Sequence, residues 1–113
     1  MRSHVLDSIA QALDDGRDAD DLLRSTVSAL VEEPGVAWAA IDFLEDGELL
    51  RGPSAGDEDE THRRRLPISY RGEPVGELLV DGDADPVLLE RVAALVAVHV
   101  LIGWDTGGED WVP

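Results

Sequence analysis

Apolar positions recur along the chain with two different periods, and the switches between them divide it into elements. A helical spacing places Val5, Leu6, Ile9 and Leu13 on one face, with Ser3 as the cap and Gly16 as the stop. A second helical stripe, Leu22, Leu23, Val27, Leu30 and Val31, starts at Asp18 or Asp20 with acids in its first turn, and Glu33-Pro34-Gly35 breaks it. The period then shortens to two. Residues 36–44 read as a strand, with Ala37, Ala39, Ile41 and Phe43 on one face and Val36, Trp38, Ala40, Asp42 and Leu44 on the other. Asp46-Gly47 predicts a tight hairpin turn, and 48–51 a strand pairing back. Residues 52–62 lose the alternation and read as a loop rich in glycine, proline, serine and acid.

The alternation resumes with Leu66, Ile68 and Tyr70 in a strand over 63–70. Arg71-Gly72 is a second tight turn, since Gly72 takes without strain the positive φ that a short hairpin loop needs. Val75, Leu78, Leu79 and Val80 carry the returning strand to Asp81. Pro74 opens that strand, where a missing N–H does least harm, and Gly76 inside it marks a close approach of another backbone or side chain. Asp85 caps a last helix with Pro86 at its first position. That helix, over 86–102, is apolar on nearly every side, so it must be buried on more than one face: against the sheet, and against the first helix or a second subunit. Gly103 is its predicted end, leaving 103–113 as a tail. The order of elements gives one α+β domain over 1–113, an antiparallel sheet with N- and C-terminal helices on one face.

The proline-led strand Leu66-Pro67-Ile68, the Arg71-Gly72 turn, the return strand Pro74-Val75-Gly76-Glu77-Leu78 and the Asp/Pro-capped apolar helix together resemble a GAF domain. The resemblance covers about 19–103. It implies a profilin-type layered plan, a small-molecule pocket on the sheet face away from the helices, dimerisation through the terminal helices, and regulatory rather than catalytic work. The segment that roofs the family's pocket is reduced here to 52–62. The chain has no cysteine, so it can neither attach a bilin nor reproduce the cysteines of the family's free methionine sulfoxide reductase branch, and it has no NKFDE-type cyclic-nucleotide motif. The expectation is a protein that is not an enzyme and carries no cofactor or metal. It either binds a small molecule on the sheet and signals through helix-mediated dimerisation, or is a pure interaction and dimerisation module without a ligand.

Composition sharpens that picture mainly through charge. Among 113 residues stand 25 acids against nine arginines and no lysine, a net charge of −16 at pH 7. Such a field repels phosphate backbones and anionic lipid, so neither nucleic acid nor a membrane surface is an expected partner; a homodimer is expected instead from the last helix, which is too apolar to be half solvated. The absence of cysteine also removes disulfides and thiolate metal sites. No signal peptide or spanning run is recognisable, which leads to an expected cytoplasmic location. The excess of acid over base fits a halophile or a GC-rich genome equally.

Few residues stand out chemically. Trp38, Asp42 and Glu77 are placed by alternation on the face away from the helices, where an aromatic beside carboxylates would suit a small polar or cationic ligand; the plainer reading is packing for Trp38 and solvation for the acids. Asp57-Glu58-Asp59-Glu60 with His62 has the oxygen donors for a hard cation but no EF-hand spacing, and Arg63-Arg64-Arg65 beside it can neutralise those acids. His99 in the last helix has no second histidine at ligand spacing and reads as a packed or interfacial residue. Leu6, Ile9, Leu13, Leu95 and His99 are the expected dimer interface. Trp104 and Trp111 in the tail either dock over the uncovered sheet face or belong to a loose terminus with Trp104 against the helix end.

Overall fold

A computed structural model describes residues 6–7, 9–11 and 19–110, with side chains of the last helix described as far as Leu101. Two helices and four strands follow in the order α1 (Ala19–Val31), β1 (Val36–Glu45), β2 (Glu48–Gly56), β3 (Arg63–Tyr70), β4 (Glu73–Gly82) and α2 (Pro86–Asp110). The strands form one antiparallel sheet in the order β2-β1-β4-β3. Residues 6–7 and 9–11 are also helical, and Ile9 is buried in the same core as α1 and α2. Ser3, Leu13 and Gly16 lie outside the described residues.

The two tight turns set the sheet. Asp46 and Gly47 have φ of 50 and 83°, and Arg71 and Gly72 have φ of 53 and 83°, successive left-handed residues that match the twist of the strands they join. Gly76 is the close approach that its place in a strand predicts. A Cβ there would collide with the Asp42 carbonyl oxygen and stand 2.9 Å from Val100 Cγ1. Ala39, Ile41 and Phe43 of β1 meet Leu78 and Val80 of β4 on the helix-covered face, where Leu22, Leu23, Val27 and Leu30 of α1 and Leu89, Val92, Val96 and Val100 of α2 close the core. Fully burying each such side chain contributes about 1.5–3 kcal/mol, so this one apolar layer is what fixes the helices to the sheet.

Two boundaries differ from those the sequence predicts. β2 does not stop at Arg51 but continues to Gly56, with Gly52-Pro53 inside it, and a bulge interrupts its pairing with β1 between Ala40 and Asp42. Proline is tolerated there because β2 is an edge strand and a bulge leaves an N–H unpaired anyway. The irregular segment shrinks accordingly to 57–59 and a single 3-10 turn, Glu60–His62. The last helix likewise passes through Gly103 to Asp110. A glycine lowers helix propensity by about 1 kcal/mol without dictating a stop. Trp104 is therefore within the helical span rather than in a tail, and Trp111 lies outside the described residues. Among the described residues, no helix is long and apolar enough to cross a membrane.

Candidate functional site

Among the described residues, both buried carboxylates, Asp42 and Asp81, lie on the face of the sheet away from the helices. Alternation along β1 puts Trp38, Ala40 and Asp42 on it. Across β4, Trp38 stands opposite Asp81, Ala40 opposite Leu79 and Asp42 opposite Glu77. Trp38, Asp42 and Glu77 are thus brought together on one surface, as their spacing requires. Trp38 is packed, as the plainer reading has it, but the acids are paired with arginines rather than simply solvated. Trp38 is only 3% exposed, in a small cluster with Ala40 and Leu79. Its ring is flanked by two guanidinium groups, Arg63 at 4.4 Å and Arg51 at 4.9 Å from the ring centre. The positions a cationic ligand would take over this indole are held by the chain's own arginines.

Each inward carboxylate has an arginine of its own. Arg63 donates through Nε and Nη2 to the two oxygens of Asp81, at 2.8 and 2.9 Å, a bidentate pair in which the Asp81 side chain is wholly buried and that of Arg63 is 10% exposed. The Asp59 backbone N–H also donates to Asp81 Oδ2, at 2.6 Å. The Arg63 contact holds the Asp81 carboxyl below the usual carboxylate range against the opposing effect of burial, and Asp81 in turn raises the Arg63 pKa. Arg51 Nε donates to Asp42 Oδ1 at 2.6 Å. Arg65 Nη1 donates to Glu77 Oε1 at 2.9 Å, and Arg64 lies 3.7 Å from Asp83.

The acidic segment after β2 lies over this layer. Glu58 reaches both guanidiniums that flank Trp38, 3.2 Å from Arg63 Nη2 and 3.8 Å from Arg51 Nη1, and Glu60 lies 3.5 Å from Arg63 Nη1. Asp59 accepts from the Thr61 hydroxyl at 2.6 Å and pairs with His62 Nδ1 at 2.9 Å, which together lower its pKa. Glu58 and Glu60 thus both reach Arg63, the arginine nearest them in sequence, although that guanidinium is already paired with Asp81. Among the described residues, no group of three or more histidine, aspartate or glutamate side chains is arranged to hold a metal ion.

The arginines are what sequence reasoning missed, and one of them had a signal. Counting outward from Asp46-Gly47 pairs Glu45 with Glu48 and Asp42 with Arg51, which is the observed register. Arg63 had none, because a bulge between Ile68 and Ser69 is needed to bring it opposite Asp81.

The residues expected at a dimer interface are dispersed. Ile9 is buried in the chain's own core and Leu6 packs half-buried against it, so Ile9 offers no surface to a second subunit. Leu13 is outside the described residues. Leu95 is 42% exposed on α2. His99 is half-buried, its Nδ1 lacks a hydrogen-bond partner, and desolvation lowers its pKa. Beside α2 runs a depression of about 310 Å³ lined by Leu66, Pro67 and Ser69 of β3 and Glu90, Ala93 and Ala94 of α2.

No protein-family model matches the sequence, and neither does any curated protein. Solved structures do resemble the fold. The GAF domain from an Acinetobacter phosphoenolpyruvate-protein phosphotransferase superposes with a TM-score of 0.72 over 96% of this chain and 99% of its own, at 16% identity. The type II free methionine-R-sulfoxide reductase from Thermoplasma acidophilum gives 0.61 over 73% of this chain and 91% of its own, at 19% identity. The fRMsr of Staphylococcus aureus, solved in complex with substrate, gives 0.64 over 88% and 97%, at 15% identity. The chain therefore has a GAF-like fold. Two of these three structures are reductases, which overturns the expectation that the chain is not an enzyme: the fold on which that expectation leaned also carries catalysis.

Proposed function

We propose that this chain is a GAF-like regulatory module that pairs with a second copy of itself through the outward face of α2. One observation carries the reading. Val87, Arg91, Ala94, Val98 and Leu101 succeed one another at alternating steps of four and three residues, and all but the half-buried Val98 are exposed, with exposed Leu95 beside them. That spacing is the seam by which two helices pack side by side. It extends for about 21 Å, nearly four turns. Scattered exposed apolar residues need no explanation, whereas a continuous seam on a chain of net charge −16 does. Ala94 at its centre lets two backbones approach closely, and the depression beside β3 continues from the same residue.

The opposite face supports the same reading, since side chains fill the ground above Trp38 where a ligand chamber would be expected. The similar Acinetobacter GAF domain is one part of a phosphotransferase, as befits a fold used as a module within larger proteins. Light scattering across a concentration series, with native mass spectrometry, tests the proposal. A dimer is expected at high micromolar concentration. Ala94→Glu and Leu95→Glu, both at exposed positions, should give a monomer with an unchanged far-UV spectrum. A native chain that stays monomeric throughout would refute the pairing.

A further inference from the structure

On the flank of the molecule, the layer between α2 and β3 is incompletely filled. β3 is an edge of the sheet, with β4 as its one strand neighbour among the described residues. Ala93 and Ala94 follow one another on α2 beside it, so short side chains stand where longer ones would close the gap. The result is the depression of about 310 Å³, whose apolar walls are Leu66, Pro67, Ala93 and Ala94. Leu66 and Ala93 belong to the helix-side core, so the hollow opens from that layer and not from the outer face of the sheet. Its volume is at the small end of the range for ligand sites, about 300–1,000 Å³.

The other two lining residues are Ser69 and Glu90. Glu90 is exposed, and the cations that could neutralise it are engaged or turned elsewhere. On its own helix the positions three and four residues away, Pro86, Val87, Ala93 and Ala94, carry no charge. Arg91, the next residue, projects about 100° further round the axis. Across the hollow, Arg63 is paired with Asp81 and Arg65 with Glu77, Arg64 lies beside Asp83, and Arg71 sits over the Tyr70 ring. Among the described residues Glu90 is thus a carboxylate without an ion pair, at the rim of an apolar hollow. The chain's net charge of −16 draws small cations toward it. Pro67 narrows the choice further. It has no N–H to offer an added strand, and proline on an edge opposes strand addition. An extended peptide is therefore a poor occupant, and a small molecule a good one.

We propose that this depression binds a small primary ammonium compound with a compact apolar body. The body lies against Leu66, Pro67, Ala93 and Ala94, and the ammonium group donates to the Glu90 carboxylate, with Ser69 as a second acceptor. A primary ammonium has N–H groups to donate, and a quaternary one has none. The site shares only Ala94 with the pairing seam and stands whether or not two chains pair.

The test is an NMR titration of the full ¹⁵N-labelled chain with phenethylammonium chloride at constant ionic strength, following the amides of Leu66, Ser69, Glu90, Ala93 and Ala94. Half-saturation is expected in the millimolar range, as suits a few heavy atoms in an open hollow. Phenethyl alcohol, the neutral analogue, should bind at least about threefold more weakly, the weight of one exposed ion pair. Hydrocinnamate, its anionic counterpart, should be weaker still, and tetramethylammonium should not saturate these amides. Glu90→Gln, at an exposed position, should bring the ammonium compound down to the level of the alcohol. Leu95 lies about 140° round the helix from Glu90, so Leu95→Glu, which is expected to abolish pairing, should leave the half-saturation unchanged. Loss of binding in Leu95→Glu would mean that a partner chain builds the site, and the single-chain assignment would fail. A native chain that is monomeric and still binds would sink the pairing alone and uphold this site. The proposal is overturned if the alcohol binds the native chain as tightly as the ammonium compound, if Glu90→Gln binds the ammonium compound like the native chain, or if the shifts fall outside the lining residues.

Discussion

At the scale of single residues, the chain places two opposite charges where apolar packing would be expected, and Arg63 decides whether that holds. Asp81 is wholly buried, and its partners are the Arg63 guanidinium and one backbone N–H. Removing one member of such a pair leaves a charge without compensation, at a typical cost of about 3–5 kcal/mol, whereas replacing both by apolar groups of similar volume can be neutral. Arg63→Ala should therefore lower the urea-unfolding free energy by about 3 kcal/mol or more, and Arg63→Met combined with Asp81→Leu should recover most of that loss. If the single and double variants were equally destabilised, the ion pair would not be the cause. The same carboxyl gives a pH dependence. Its pKa is depressed in the folded state, chiefly by the Arg63 hydrogen bonds. The stabilisation is therefore complete above the unfolded aspartate value, about 3.9, and is lost as pH falls through the lower folded value. Melting temperature should decline below about pH 4, and Asp81→Asn, though less stable at neutral pH, should decline less steeply across that window.

At the scale of elements, what the sequence made legible follows from local rules, and what it hid follows from bulges. Both hairpins could be read because Asp46-Gly47 is a dipeptide whose backbone preference selects the turn and Gly72 takes the positive φ of the second without strain. Gly76 could be read because a glycine inside an otherwise apolar strand implies a close neighbour, here the Asp42 carbonyl and Val100. Gly76→Ala should cost about 1–3 kcal/mol by overpacking, measured by denaturant midpoint, and Val100→Ala in the same chain should relieve only the side-chain part of that clash. Arg63 opposite Asp81 and the long β2 were hidden, since each depends on a register shift that no single residue announces. The end of α2 was misjudged because glycine weakens a helix without ending it. On that helix the paired-helix reading makes a prediction of its own. Arg91 sits at the seam between Val87 and Ala94, and a charged residue in such a position lowers stability while restricting register. Arg91→Leu should tighten self-association, seen as a lower dissociation constant by analytical ultracentrifugation. Weaker association in this variant would place the contact on another face.

At the scale of the whole molecule, a net charge of −16 on 113 residues opposes both folding and pairing, because every compact state concentrates like charge. The attractive contacts are not equally open to screening. The Arg63–Asp81 pair is buried and responds little to salt, whereas Arg24–Asp20 and Arg64–Asp83 are exposed and contribute little at any ionic strength. Added salt therefore removes more repulsion than attraction. Raising KCl from about 0.05 to 0.5 M, which shortens the screening length to a few ångströms, should stabilise the fold by about 1 kcal/mol, or roughly 4–8 °C in melting temperature. Pairing brings two such chains together and should respond more steeply, with a dissociation constant that falls as KCl rises. Potassium chloride and tetramethylammonium chloride should act alike if screening is the mechanism, since neither cation is bound at a particular place. A flat melting curve would show that self-repulsion does not limit stability. A response to potassium alone would point to a specific cation site among the surface acids in place of the diffuse field.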